Sequence, residues 1–150
     1  VTLSSDGKVW NEAAVSDESD WTSETIIHDG SQFILPGTDG AVFTSFDGFN
    51  WTRLETPVRD VFYTSAAWNG SKLVIAGAAM SWCGWFWPCD EPFDVPAGIS
   101  STDGGVTWEL FDIDDSYESL GLAWGNGRFV SVGHKPQFDF DGEGAIYTAD

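Results

Sequence analysis

The chain is punctuated by a short motif that returns three times. "SSDGKVW" runs from Ser4 to Trp10, "SFDGFNW" from Ser45 to Trp51, and "STDGGVTW" from Ser101 to Trp108. The first two share Ser-x-Asp-Gly-x-x-Trp, and the third carries one extra residue. The chain closes on "TAD", the start of a fourth copy, and the aspartates Asp6, Asp47, Asp103 and Asp150 stand 41, 56 and 47 residues apart. Recurrence at that spacing limits the chain to an array of similar supersecondary units, each unable to bury its apolar faces alone.

A second signature precedes each later copy. It reads "HDGSQFILPG" from His28, "WNGSKLVIAG" from Trp68 and "WGNGRFVSVG" from Trp124. Asp-Gly and Asn-Gly supply the positive φ angles of a tight hairpin, and an apolar strand ending in Gly follows each one. One unit therefore holds two hairpins. In the first full unit the expected strands are 24–28, 32–36, 41–45 and 50–54. Four short antiparallel strands in about 40 residues is the size of a propeller blade. The expected organisation is the end of one blade at 1–14, a blade at 23–56, a blade at 63–113 with an insert at 78–97, and a partial blade at 117–150. The fold class is all-β, with blades of four antiparallel strands in an incomplete ring of two full and two partial blades.

These repeats resemble the Asp-box, or bacterial neuraminidase repeat, of the sialidase-like β-propellers. "STDGGVTW" matches Ser-x-Asp-x-Gly-x-Thr-Trp at every defined position, while the two shorter copies lack one residue and the Thr. The resemblance implies that the box lies on the hairpin between strands three and four, away from the ligand face. That family includes hydrolases, receptors, assembly factors and lectin-like binders, so it speaks to fold more than to activity.

The box residues Ser4, Asp6, Gly7, Trp10, Ser45, Asp47, Gly48, Trp51, Ser101, Asp103, Gly105, Thr107 and Trp108 read as structural. Ser and Asp side chains accept main-chain N–H bonds inside a turn, Gly takes angles other residues resist, and Trp offers an apolar face to a neighbouring blade. The chain has 24 acidic and 6 basic residues and a net charge of −18. Such a surface repels phosphates and anionic lipid, which sets nucleic acid aside as a partner. Nine Trp, eleven Phe and three Tyr give ample material for a core, and no apolar run is long enough for membrane insertion. The chain begins at Val1, which fits a processed or excerpted polypeptide.

In a blade, turns between strands one–two and three–four share one end, and loops between strands two–three share the other with the links between blades. The strand two–three loop varies most. It is "GTDG" at 37–40 in the first unit, swells from Gly77 to Gly98 in the second, and is "GHKPQFDFDGEG" at 133–144 in the third. Insertions on one face of a repeat array are where binding surfaces arise. The larger insert carries Trp82, Trp85, Phe86 and Trp87 beside Cys83 and Cys89. Five intervening residues allow a small disulfide ring, although two reduced thiols give the same sequence. The aromatic residues are candidates for ligand binding, by stacking on sugar rings or anchoring a protein; the competing reading is a satellite core over the propeller rim. Asp139, Asp141 and Glu143 around Gly142 are candidate calcium ligands, against a reading as a solvated hairpin. Calcium is the only cofactor the sequence suggests. Acidic links at 16–20 and 112–115 fall at the same expected end.

Catalytic signals are weak. His28 and His134 have no recognisable nucleophile partner, with His28 expected to pack and His134 to lie exposed. The resemblance implies a sialidase site of three arginines, a Tyr–Glu nucleophile and an Asp acid. The chain has only Arg53, Arg59 and Arg128, and Arg53 and Arg128 fall at the box end. No catalytic residue is nominated. The leading expectation is a non-catalytic module, extracellular or at the cell surface, that binds a glycan or a protein. The alternatives are part of a glycoside hydrolase whose catalytic residues lie partly elsewhere, and a structural surface or filament protein. Both ends of the chain represent strand three, which fits an excerpt of a longer propeller, and open blade edges invite self-association.

Overall fold

The computed structural model describes residues 1–15, 23–79, 98–111, 113, 118–134 and 144–149. They form thirteen strands and no helix. The first sheet pairs β1 (Thr2–Leu3) with β2 (Asn11–Glu12). The second is a meander of β3 (Ile27–His28), β4 (Phe33–Pro36), β5 (Val42–Ser45) and β6 (Thr52–Leu54). The third repeats that order with β7 (Val61–Trp68), β8 (Leu73–Ala79), β9 (Gly98–Ser101) and β10 (Glu109–Phe111). The fourth holds β11 (Glu118–Gly125), β12 (Arg128–His134) and β13 (Gly144–Ala149). Among the described residues all pairings are antiparallel, and every sheet is open, with two edge strands.

The hairpin turns follow from their residue types. Asp29 Oδ1 accepts the N–H groups of Ser31 and Gln32 at 2.8 and 2.9 Å, and Asn69 Oδ1 accepts those of Ser71 and Lys72 at 2.8 and 2.6 Å. The following Gly30 and Gly70 both sit at φ +99°. A short polar side chain thus takes donors that the bend removes from the ladder.

Alternation along β4 sends Ile34 to one face and Leu35 to the other, and both are buried. Ile34 and Val42 join Val58, Val61, Tyr63, Leu73, Ile75 and Ile99 in a core between the second and third sheets. Leu35 and Phe43 join Ala41 and Trp51 in a second core, lined also by Val15. The second sheet is therefore covered on both faces. Burying each of these larger aliphatic side chains contributes about 1.5–3 kcal/mol.

Main-chain bonds add to this packing. The loop after β4 is tied to β7 by Gly40 N–H to Val61 O at 2.8 Å and Tyr63 N–H to Gly37 O at 3.1 Å. Between the third and fourth sheets part of the contact is a cluster of hydroxyls. Thr64 donates its hydroxyl to the Ser119 carbonyl and Ser65 Oγ lies 3.2 Å from Ser119 Oγ, while within the fourth sheet Ser119 Oγ lies 2.8 Å from Ser131 Oγ. These hydroxyls are buried and satisfy one another. Both β7 and β11 carry a bulge here, between Tyr63 and Ser65 and between Ser119 and Gly121, which turns the extra residue out of the ladder.

Candidate functional site

Two sets of groups carry the polar chemistry: the box turns at one end of the sheets, and the loops joining second to third strands at the other. The three boxes share one wiring. The Ser hydroxyl accepts a glycine N–H: Gly7 to Ser4 at 2.8 Å, Gly48 to Ser45 at 2.8 Å and Gly105 to Ser101 at 2.9 Å. The same hydroxyl donates to the box carboxylate at 3.0, 3.1 and 2.8 Å. One carboxylate oxygen then accepts two successive N–H groups: Lys8 and Val9 on Asp6, Phe49 and Asn50 on Asp47, Val106 and Thr107 on Asp103. The extra residue of the third box is absorbed by two consecutive positive-φ glycines, Gly104 at +75° and Gly105 at +91°.

The electrostatics follow from that wiring. The Val9 N–H, then the Lys8 N–H and the Ser4 hydroxyl, hold the Asp6 carboxyl below its ordinary range. Asp47 is lowered further, first by the Asn50 N–H and then by the Asn50 side chain, which donates at 2.8 Å. Asp103 is held at about 2, first by the Thr107 hydroxyl at 2.6 Å and then by the Thr107 N–H. A carboxylate with such donors is stabilised as the anion and is a poor proton donor near neutral pH. Burial pushes Asp29 up, but the N–H groups of Gln32 and Ser31 outweigh it and its carboxyl is lowered.

The box tryptophans differ in their surroundings. Trp51 is buried, and its indole N–H donates to the Gly48 carbonyl at 2.8 Å. Trp108 is half-buried against the first core, and its Nε1 has no partner among the described residues. Trp10 is exposed. The boxes also form joints between units. A Cβ built on Gly48 would stand 2.2 Å from Leu3 Cδ2, and one on Gly105 would stand 2.5 Å from Leu54 Cδ1. Each glycine admits an apolar side chain from the preceding unit. Gln32 Nε2 adds a bond at 3.3 Å to the Gly104 carbonyl across the same junction.

At the opposite end the backbone defines where the insertions leave. Ala76 pairs with Gly98, so residues 80–97 depart from and return to one ladder between β8 and β9. His134 pairs with Gly144, so 135–143 does the same between β12 and β13. The first unit's equivalent, 37–40, is short and fixed, with Thr56 Oγ1 donating to the Gly40 carbonyl at 2.7 Å. Trp82, Trp85, Phe86 and Trp87, Cys83 and Cys89, and Asp139, Asp141 and Glu143 all lie outside the described residues. Among the described residues no group of three His, Cys, Asp or Glu could hold a metal ion, and no helix is long and apolar enough to cross a membrane.

His28, expected to pack, is instead exposed: its ring lies only edge-on to Phe33 at 4.9 Å, and the turn uses its Nδ1 to accept the Gly30 N–H at 3.1 Å. Arg53 lies in β6 and Arg128 opens β12. Sequence reasoning passed over one feature of the box turns: Phe46 and Val106 are 79% and 81% exposed, and Phe49 and Val9 are exposed as well. Each fills a box position whose side chain the turn wiring does not use, and the residue type there carries no signal of exposure.

Comparison with protein-family models, with curated proteins and with solved structures finds no match to this chain.

Proposed function

We propose that this chain is part of an Asp-box β-propeller that works as a non-catalytic binding or assembly module, extracellular or at the cell surface. It would engage a glycan or a protein through the loops between second and third strands. The observation that carries this reading is the pair of long insertions, 80–97 and 135–143, which leave the ladders at corresponding points while the strands on either side stay in register. A scaffold with regular strands and enlarged loops at one end concentrates variation where contact is made. The larger insertion brings Trp82, Trp85, Phe86 and Trp87, and the smaller brings Asp139, Asp141 and Glu143. Closure of a Cys83–Cys89 ring would lower the entropy such a loop loses on binding.

The box carboxylates support the non-catalytic part of the reading. Each is engaged by two main-chain N–H groups and a serine hydroxyl, so none is poised for general acid work.

The test is binding of the intact protein to an array of immobilised neutral and acidic glycans, alongside the Trp85→Ala/Trp87→Ala double variant. Retention on a defined glycan class that falls at least about tenfold in the variant, equal to roughly 1.4 kcal/mol, is the expected result. Release of reducing sugar from the same glycans, abolished by replacing an acid in 135–143, would overturn the non-catalytic reading. Binding unchanged in the double variant would remove the aromatic insert from it.

A further inference from the structure

Two asparagines precede a glycine, Asn69 and Asn126, and both sit in hairpin turns at corresponding places in their sheets. Their side chains are held very differently. Asn69 Oδ1 accepts the Ser71 N–H at 2.8 Å, the Lys72 N–H at 2.6 Å and the Ser71 hydroxyl at 3.1 Å. Main-chain donors on that atom identify it as the carbonyl oxygen, so the amide's orientation is fixed. Asn126 has no such partner among the described residues. It lies exposed between Gly125 and Gly127, at φ +51° with Gly127 at +79°. The pairing of Gly125 with Arg128 closes the turn across the two central residues, and the Gly127 N–H makes no ladder bond.

We infer that Asn126 is a site of spontaneous deamidation in the folded protein and that Asn69 is protected. The Gly127 nitrogen attacks the Asn126 side-chain carbonyl carbon after a base, hydroxide or buffer, takes the Gly127 amide proton. A carbon–nitrogen bond forms and closes a five-membered succinimide. The bond from that carbon to Nδ2 breaks, and the nitrogen leaves as ammonia after taking up a proton. Water then opens the ring at either carbonyl, giving aspartate or isoaspartate, with no change in oxidation state. Gly127 presents no Cβ to the closing ring, and opening a hairpin tip costs little compared with opening a buried ladder. At Asn69 the same rotation must first break the three bonds on Oδ1. A rate at least about tenfold slower, equal to about 1.4 kcal/mol, follows when two of these bonds must break.

The modification has structural weight. Isoaspartate adds one main-chain carbon to a two-residue turn whose flanks are clamped by Trp124 against Phe129, with ring centres 4.7 Å apart. It also adds a negative charge to a chain already at −18.

The experiment incubates the full folded chain in mildly alkaline buffer and follows both Asn-Gly peptides by mass spectrometry, with isoaspartyl methyl-acceptance as a second readout. A parallel sample is held in denaturant. The expected result is a one-mass-unit gain at Asn126, with an isoaspartyl product, at least about tenfold faster than at Asn69 in the folded sample. In denaturant the two rates should converge. Equal rates in the folded sample, or a preference that persists in denaturant, would overturn the inference.

Discussion

The third and fourth sheets share a strand plan but not a burial pattern. Their first hairpins align residue for residue: Trp68 pairs with Leu73 as Trp124 pairs with Phe129, and the bulges at Tyr63/Ser65 and Ser119/Gly121 coincide. In the third sheet Thr64, Ala67, Val74 and Ala76 are buried, on the side where β11 lies. At the matching positions of the fourth sheet Leu120, Ala123 and Val132 are exposed and Val130 is half-buried. The same architecture is a core when another sheet lies across it and a surface when none does. Burial here belongs to the stacking of units, not to the strand itself.

The sharpest way to break that comparison is to place a charge at the matched pair. Ala76 is 0% exposed and Val132 is 44% exposed. Ala76→Asp should cost about 4 kcal/mol or more, and Val132→Asp less than about 1 kcal/mol, read from urea midpoints at constant slope. Equal losses would mean that the two faces are equally covered in solution.

A smaller effect separates the bulge residues. Thr64→Val deletes the donor to the Ser119 carbonyl inside the interface. It should cost about 1–2 kcal/mol, while Leu120→Thr on the open face should stay within about 0.5 kcal/mol. The smallest effect is in acid and concerns the box after β9, which has no described counterpart after β13. Asp103 titrates at about 2, against an ordinary aspartate value of 3.8. Its folded pKa is depressed, so the unfolded chain binds more protons between the two values. The box contribution is present above about pH 4 and is lost as pH falls through about 2. Thr107→Val removes the strongest donor and should move the Asp103 titration, followed by carboxyl NMR shifts, up towards the ordinary range.

Much of the all-β plan is legible in the residues. The Gly-containing turns at 29–31 and 69–71 and the apolar alternation of 32–36 and 41–45 mark hairpins that the structure contains as β3–β4, β4–β5 and β7–β8. Strand boundaries are less so. The reading 24–28 shrinks to Ile27–His28, because the Ser23 hydroxyl takes the Pro36 carbonyl that a longer ladder would have used. The seryl contact between sheets is also hidden. Ser65, Ser119 and Ser131 carry no apolar periodicity; the stacking of β7 on β11 brings Ser65 to Ser119, and the pairing of β11 with β12 brings Ser131 to the same hydroxyl. The exposure of Phe46 and Val106 is a tertiary fact, since an apolar residue inside a turn motif reads equally well as buried. The aromatic and acidic residues of the insertions were visible as composition alone, which specifies a contact chemistry but not a geometry.

The glycine sockets at the joints have a further consequence. Leu3, which enters at Gly48, comes from a third strand, whereas Leu54, which enters at Gly105, comes from a fourth. The position equivalent to Leu3 in the next unit is Thr44, and the one equivalent to Leu54 in the previous unit is Ala13. The two connections are keyed differently, so units transplanted past one another would arrive with the wrong tooth for the notch. The order of the modules is thus written into the shape of each seam as well as into the polypeptide that threads them.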